Sequence, residues 1–283
     1  MAARHVATEL NYYRDPGDGS APTPVVVGSN KVTNERPTVP LAVTVTDITG
    51  EEGRYTLDKH GFQLVPHQSS HDPSFVDESA LRKHYYAEME QLYRDVTSAS
   101  EVFIFGHRVR RGPSHWHSLG EGNAASRGPL HRVHVDQSYD GARLVAEKHL
   151  PADVLLAEQQ RKPVPRRFQI VNIWRPIRTV RKDPLAVADA ATVDDEDLVA
   201  GAIQYPDGSR AETWAVRPSE RHRWYYKGGQ RPDEVLFIKC FDSAEEAGLA
   251  RRTPHCAFRD AEHDEAESRE SVEVRAVLLF GEP

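Results

Sequence analysis

His134, Val135 and Asp136 form a short β-prone stretch, and residues spaced i, i+2 on a strand point to the same face. His134 and Asp136 can therefore grip one metal ion together. A second histidine, His255, follows Thr253-Pro254 and precedes the apolar Cys256-Ala257-Phe258, a context that suggests partial burial. Two imidazoles and one carboxylate on one triangular face of a metal make the facial triad of non-haem iron(II) oxygenases, which leaves the opposite positions open. Further on, Arg269, Ser271 and Arg275 share a face of the last strand. A guanidinium holds a carboxylate through two parallel hydrogen bonds, and a neighbouring hydroxyl adds a third. This suits the far end of a dicarboxylate cosubstrate such as 2-oxoglutarate, with Arg275 as a rival anchor to Arg269.

The chain has 14 histidines, so an accidental His-x-Asp is easily produced, and competing pairs need weighing. His115-Trp116-His117 sits in a Gly/Ser-rich stretch and reads as surface or lid. His131 and His134 face opposite sides of a strand and should not chelate together. The plain alternative makes His134 a core histidine, Asp136 a turn residue, and Arg269 to Arg275 the charged face of an edge strand.

The elements that must position these residues are mostly strands. Val25–Val27, Leu41–Ile48, Tyr55–Val65, Val102–Val109, Arg132–Asp136, Phe168–Trp174, Ala211–Val216, Trp224–Tyr226, Glu234–Phe241 and Ser271–Phe280 carry β-branched or aromatic runs. Leu81, Tyr85, Met89, Leu92 and Val96 recur at helical spacing and predict a helix over Asp77–Val96, with Asp77 and Glu78 at the end that favours acids. Two shorter helices are expected over Gly141–His149 and Ala152–Gln160, broken at Pro151. Many strands without regular βαβ alternation predict a β-rich (α+β) chain, a double-stranded β-helix of the jelly-roll or cupin-like type with flanking helices. Residues 1–283 read as a single domain, with 1–75 as an N-terminal extension packing on it.

Composition narrows the class. A net charge of −7 and a pI near 6.1 argue against a nucleic-acid partner, which needs a basic surface. No apolar run reaches the roughly 20 residues that span a bilayer. Met1–Tyr13 lacks the apolar core of a signal peptide. Two cysteines, Cys240 and Cys256, imply no disulfide framework and make the cytoplasm the default location. A small-molecule substrate is the expected partner.

Longer motifs go further. They include Asn172-Ile173-Trp174-Arg175-Pro176 with Pro184-Leu185-Ala186-Val187-Ala188-Asp189, Val133-His134-Val135-Asp136-Gln137-Ser138 and Arg223-Trp224-Tyr225-Tyr226. Lys239-Cys240-Phe241-Asp242-Ser243, Thr253-Pro254-His255-Cys256-Ala257-Phe258 and Arg269-Glu270-Ser271-Val272-Glu273-Val274-Arg275 complete the set. Over residues 100 to 280 the chain resembles the gibberellin desaturase/AsaB-like hydroxylase family, related to cephalosporin 7α-methoxylase subunits and widespread in fungal specialised metabolism. The resemblance implies a jelly-roll fold and an Fe(II)/2-oxoglutarate dioxygenase consuming O2. It implies His134, Asp136 and His255 as iron ligands and Arg269 as the 2-oxoglutarate anchor. The separation of His255 from Arg269 is longer than usual in that superfamily, with the acidic Asp260–Glu267 as an insert, and this keeps Arg275 as the rival.

Asn172, Trp174, Arg175, Tyr225 and Lys239 are candidates for the substrate pocket. Asn172 and Trp174 share one strand face, which would turn Arg175 away, and a lysine among apolar residues needs a partner. Lid loops are expected around 110 to 128 and 205 to 232. Two other functions fit the same residues: a cupin-like isomerase or an oxygenase needing no cosubstrate, and a non-catalytic jelly-roll binding protein. Neither substrate identity nor the choice among hydroxylation, desaturation and ring formation is written in the sequence.

Overall fold

The computed structural model describes residues 3–27, 32–33, 35–114, 127–160 and 166–281. The histidines at 115 and 117, and most of the first expected lid loop, lie outside them. In chain order the strands are β1 (Val6–Tyr13), β2 (Val25–Val27), β3 (Val32–Thr33), β4 (Thr38–Asp47), β5 (Phe62–Pro66), β6 (Glu101–Arg110), β7 (His134–Val135), β8 (Phe168–Pro176), β9 (Leu185–Ala188), β10 (Leu198–Gln204), β11 (Arg210–Val216), β12 (Trp224–Tyr226), β13 (Glu234–Asp242), β14 (His255–Ala257) and β15 (Ser271–Leu279). They form a ten-stranded sheet, β1-β4-β12-β9-β14-β7-β11-β10-β2-β3, and a five-stranded sheet, β5-β13-β8-β15-β6. The fold is a jelly roll.

Strand alternation explains the layers. Ile170 and Trp174 of β8, Leu236 and Ile238 of β13 and Val277 of β15 pack inward against Val135, Leu185 and Val187 of the larger sheet. Their neighbours Val171, Ile173, Val235, Phe237, Val272, Val274 and Leu278 face outward, beneath a helix. Both faces of the five-stranded sheet are thus covered, which is why β8, β13 and β15 are buried almost throughout. The covering helix starts where its sequence signals it: the Asp77 side chain accepts from the amides of Ser79 and Ala80. A π-helical turn over Leu81–Tyr85 leads into Tyr86–Thr97, which buries Met89, Leu92 and Tyr93 and ends at Ser98 with φ +60°.

Three expectations are revised. Residues 1–75 do not merely pack on a finished domain: β1 and β4 form one end of the larger sheet, and β5 forms an edge of the smaller. The Tyr55–Val65 segment is only half strand, because Leu57–His60 forms a helical turn closed by Gly61 at φ +79°. A Cβ at Gly61 would lie 1.8 Å from Thr253 Oγ1, so the turn requires glycine twice over. The short strands β9 and β10 carry no strong β signal and are additions to the sequence reading. No helix among the described residues is long and apolar enough to cross a membrane.

Candidate metal centre

His134 occupies the two-residue strand β7, which is wedged between β14 and β11. Across β7, His134 pairs directly with His255 on one side and with Ala215 on the other. The two histidines are therefore cross-strand neighbours, and their ring centroids lie 4.5 Å apart. Asp136 follows as the strand gives way to the helix Tyr139–His149, whose first turn is capped by the Ser138 hydroxyl accepting from Gly141 N at 2.8 Å. A Cβ at Gly141 would sit 2.1 Å from the Glu212 carbonyl of β11, so glycine lets this helix close against the sheet and fixes the exit of Asp136.

One ligand atom from each of His134, Asp136 and His255 lies within 4.8 Å of the others. His134 Nε2 is 3.3 Å from Asp136 Oδ1. Adjacent ligand atoms on one metal, with bonds of about 2.1 Å, stand roughly 3 Å apart, so this spacing needs little adjustment to accept an ion. Hydrogen bonding sets the tautomers as well. His134 Nδ1–H donates to the Arg132 carbonyl at 2.9 Å, and His255 Nδ1–H donates to the Thr253 carbonyl at 3.1 Å. Each Nε2 lone pair is left for a metal.

The other sheet holds the carboxylate. Asn172 on β8 and Arg275 on β15 stand opposite each other in register. Both reach across the interior to Asp136 Oδ2, Asn172 Nδ2 donating at 2.9 Å and Arg275 Nη2 lying at 3.1 Å. Oδ1 remains on the histidine side. Burial alone would raise the Asp136 pKa, but Arg275 and the two imidazoles hold it well below the usual carboxylate range. Burial, then the neighbouring His134, pushes His255 down to about 4, so its imidazole is neutral and able to ligate near pH 7. An anionic carboxylate and two neutral imidazoles are the donor set that divalent iron takes.

Beside the triad lies a small cavity lined by Leu130, Trp174, Leu185, Arg269 and Glu273 among others. Arg269 is 4% exposed, and its Nη1 donates to the Asp183 carbonyl at 2.8 Å. Its guanidinium lies 5.4 Å from the Trp174 ring, and its Nε has no partner. Asp183 adopts φ +51° to present that carbonyl, while its carboxylate faces Ser114 and His131. Arg275 differs, since its Nε and Nη2 are both 2.6 Å from Glu273 Oε1 and it also holds Asp136. Ser271 is buried at the head of β15, on the face shared with Glu273 and Arg275.

The structure thus brings together His134, Asp136, His255, Asn172, Trp174, Arg269 and Arg275. It places three pocket candidates elsewhere. Arg175 points outward and is fully engaged, by Tyr85 OH, His67 Nδ1 and the carbonyls of His67 and Pro232. Lys239 also faces outward, while Ile238 and Cys240 beside it face the core, and its Nζ meets Asp242 at 2.8 Å and Asp58 at 3.0 Å. Tyr225 packs on Tyr55 and Phe62. Sequence reasoning missed Glu273 and Asp183, and it read Val102–Val109 as buried without noting that parity sends Arg108 and Arg110 to the same side. The i, i+2 spacing of Glu273 and Arg275 was the available signal for the first.

The comparisons bear on family and fold. The family described as "Oxidoreductase/YMDC permease-like domain" matches residues 10–279. The hydroxylase/desaturase efuI of Hormonema carpetanum is 36% identical, over 97% of this chain and 95% of its own length. The alpha-ketoglutarate-dependent dioxygenase phiK of a fungal species is 35% identical, over 96% and 95%. A solved structure of a single-residue variant of the iron and alpha-ketoglutarate-dependent endoperoxidase NvfI superposes with a TM-score of 0.81 at 24% identity over the whole of both chains, a likeness of fold. Matches of this length and strength, extending to asaB of Aspergillus flavus and the GA4 desaturase of Gibberella fujikuroi, mean that the chain belongs to the hydroxylase/desaturase family its motifs suggested.

Proposed function

We propose that this protein is an iron(II)- and 2-oxoglutarate-dependent dioxygenase that oxidises an unactivated C–H bond of a small specialised metabolite. In this reading His134, Asp136 and His255 hold the iron, and Arg269 holds the far carboxylate of 2-oxoglutarate. The observation that carries it is the triad itself: two imidazoles and a carboxylate whose ligand atoms converge, beside a buried guanidinium that has an unused N–H. Iron held by these residues would supply the coupling of oxidative decarboxylation of 2-oxoglutarate by O2 to removal of hydrogen from the substrate.

The chain's own residues orient and insulate that chemistry. Asn172, by a hydrogen bond, and Arg275, by an ion pair, keep Asp136 ionised and pointed, both at the same carboxylate oxygen. Trp174 walls the small cavity and lies against the Arg269 guanidinium, which limits the directions in which that group can bond. Glu273 takes Arg275 out of competition for the cosubstrate, so Arg269 is the better-suited anchor. Leu130, Leu185 and Ala257 give one side of the small cavity beside the triad an apolar lining.

The test is an anaerobic titration of the metal-free protein with iron(II) and then 2-oxoglutarate, followed by visible absorption. One iron per chain and a weak metal-to-ligand charge-transfer band on adding the keto acid are expected. Iron binding without the band would favour an oxygenase or isomerase needing no cosubstrate. Failure to bind iron would overturn the assignment.

A further inference from the structure

The chamber outside the metal centre has a charge that the composition does not foretell. A cavity of about 560 Å³ opens beside His134 and Asp136, a size suited to a small organic ligand. Its lining carries seven lysine and arginine residues against two carboxylates, Asp136 and Asp207, in a chain of net charge −7. Asp136 belongs to the triad. Clustered like charges disfavour one another, so a surplus of cations facing a cavity favours an anion within it.

The two cations beside the triad on the same strands are committed, but Arg108 between them is not. Arg275 is held by Asp136 and Glu273, and Arg110 donates to the Gly128 carbonyl. Arg108, on β6, stands opposite Glu273 in register, yet Glu273 is already taken by Arg275. Among the described residues Arg108 makes no hydrogen bond or ion pair through its guanidinium. Burial, then the charges of Arg275, Arg127 and Arg110, pushes it down to about 10, so it remains cationic at pH 7, and Glu273, which partly offsets these charges, is the acid already paired with Arg275. Part of the lining is apolar. Leu144 is 43% exposed, a large hydrophobic residue left open on its helix, and it faces this cavity with Val145, Phe105 and Ile203.

We propose that the substrate is an amphipathic carboxylic acid, its carboxylate taken by Arg108 and its hydrocarbon portion laid along Leu144 and Val145 toward the metal. This rests on reading the triad as the oxidising centre, and it narrows the substrate to one chemical class. Arg108 is then a binding and orienting residue: a guanidinium fixes a carboxylate in two directions at once, which presents one stretch of the hydrocarbon to the centre.

The probe is octanoate, compared with octan-1-ol and octyl phosphate, bound to the metal-free full-length protein and followed by saturation-transfer NMR. Octanoate should bind at least about tenfold more tightly than the alcohol, because a hydrogen bond to a charged group contributes more than a neutral one. Arg108→Met should erase that preference, Arg108→Lys should restore part of it, and Arg269→Met should leave it intact. Equal binding of acid and alcohol would overturn the proposal, as would loss of the preference in Arg269→Met with retention in Arg108→Met. Octyl phosphate binding far more tightly than octanoate would overturn the carboxylate assignment. None of these readings needs iron, so a failure here is separate from a failure of the iron and 2-oxoglutarate titration.

Discussion

Two charged clusters, each with a buried centre, lie back to back across the five-stranded sheet, and they differ in one respect. On the outer side, Lys239, Asp242, Asp58 and Arg167 form a closed network: Lys239 meets both aspartates, and Arg167 reaches Asp242 with Nε at 2.9 Å and with Nη2 at 2.5 Å. On the inner side, Asp136, Asn172, Arg275 and Glu273 hold each other, yet the group ends in atoms without partners, Asn172 Oδ1 and Arg269 Nε, and in two imidazole nitrogens aimed at one point. A closed network holds strands together. An open one holds a place for something else. Burial and charge alone do not separate the two, since Lys239 and Asp242 are more deeply buried than His134.

Removing a ligand should break the inner cluster most completely. His255→Ala is expected to abolish substrate-coupled succinate formation while the circular dichroism spectrum stays native, and turnover at the wild-type rate would show that the triad is not the centre. Next in size, Asp242→Asn should destabilise the protein by about 3 kcal/mol, because it strips a buried lysine of its main counterion. Iron and 2-oxoglutarate binding should survive, as read by denaturant midpoints alongside the absorption titration. If binding fell and stability did not, the two clusters would have to exchange roles.

Smaller effects sharpen the contrast within the inner cluster. Arg269→Met should raise the 2-oxoglutarate concentration needed for half-saturation by about 100-fold, the loss of charge-assisted bonds of roughly 1.5–3 kcal/mol each. Arg275→Met should instead weaken iron by about 10- to 100-fold, as loss of a ligand's orienting partner does, with little change in 2-oxoglutarate dependence once iron saturates. The reverse pattern would make Arg275 the anchor. The smallest effect is in pH. Burial would raise the Asp242 pKa, but Arg167 and Lys239 outweigh it and lower it below the unfolded value of about 3.9. Its contribution is therefore complete above about pH 4 and is lost as pH falls through the lower folded value. Stability curves of the wild type should drop more steeply there than those of Asp242→Asn, and parallel curves would contradict the pairing.

How much of this the sequence disclosed depends on what kind of contact does the work. That His134 and Asp136 share a face was legible from their spacing, His255 from its apolar context and the family motifs, and the long helix from Asp77 and a 3.6-residue period. Trp174 inward and Arg175 outward followed from strand parity. Lys239 could be assigned a need for a partner but not the partner, since Asp58 lies on a distant helical turn. The pairing of Asn172 with Arg275 was illegible because register between β8 and β15 is a tertiary fact. Strands β9 and β10 escaped because short Ala- and Gly-containing segments acquire their β structure from neighbours rather than from propensity. The separation between His255 and Arg269 kept Arg275 as a rival; Asp260–Glu267 holds a short 3-10 turn outside the strands, and His255 lines one cavity with both arginines.

The direct pairing of His134 with His255 has a bearing on how the protein comes to exist. These residues are more than a hundred positions apart, and β7 and β14 are only two and three residues long, too short to find each other unaided. Their ladder can close only after longer hairpins such as β10–β11 have brought the neighbourhood together, since forming a distant contact costs loop entropy before it returns any energy. On the proposed ligand assignment, iron would find its site only after those strands have come together. Held as proposed, iron would join a nearly finished protein at the point where two distant parts of the sequence meet, and would be expected to slow unfolding more than it speeds folding.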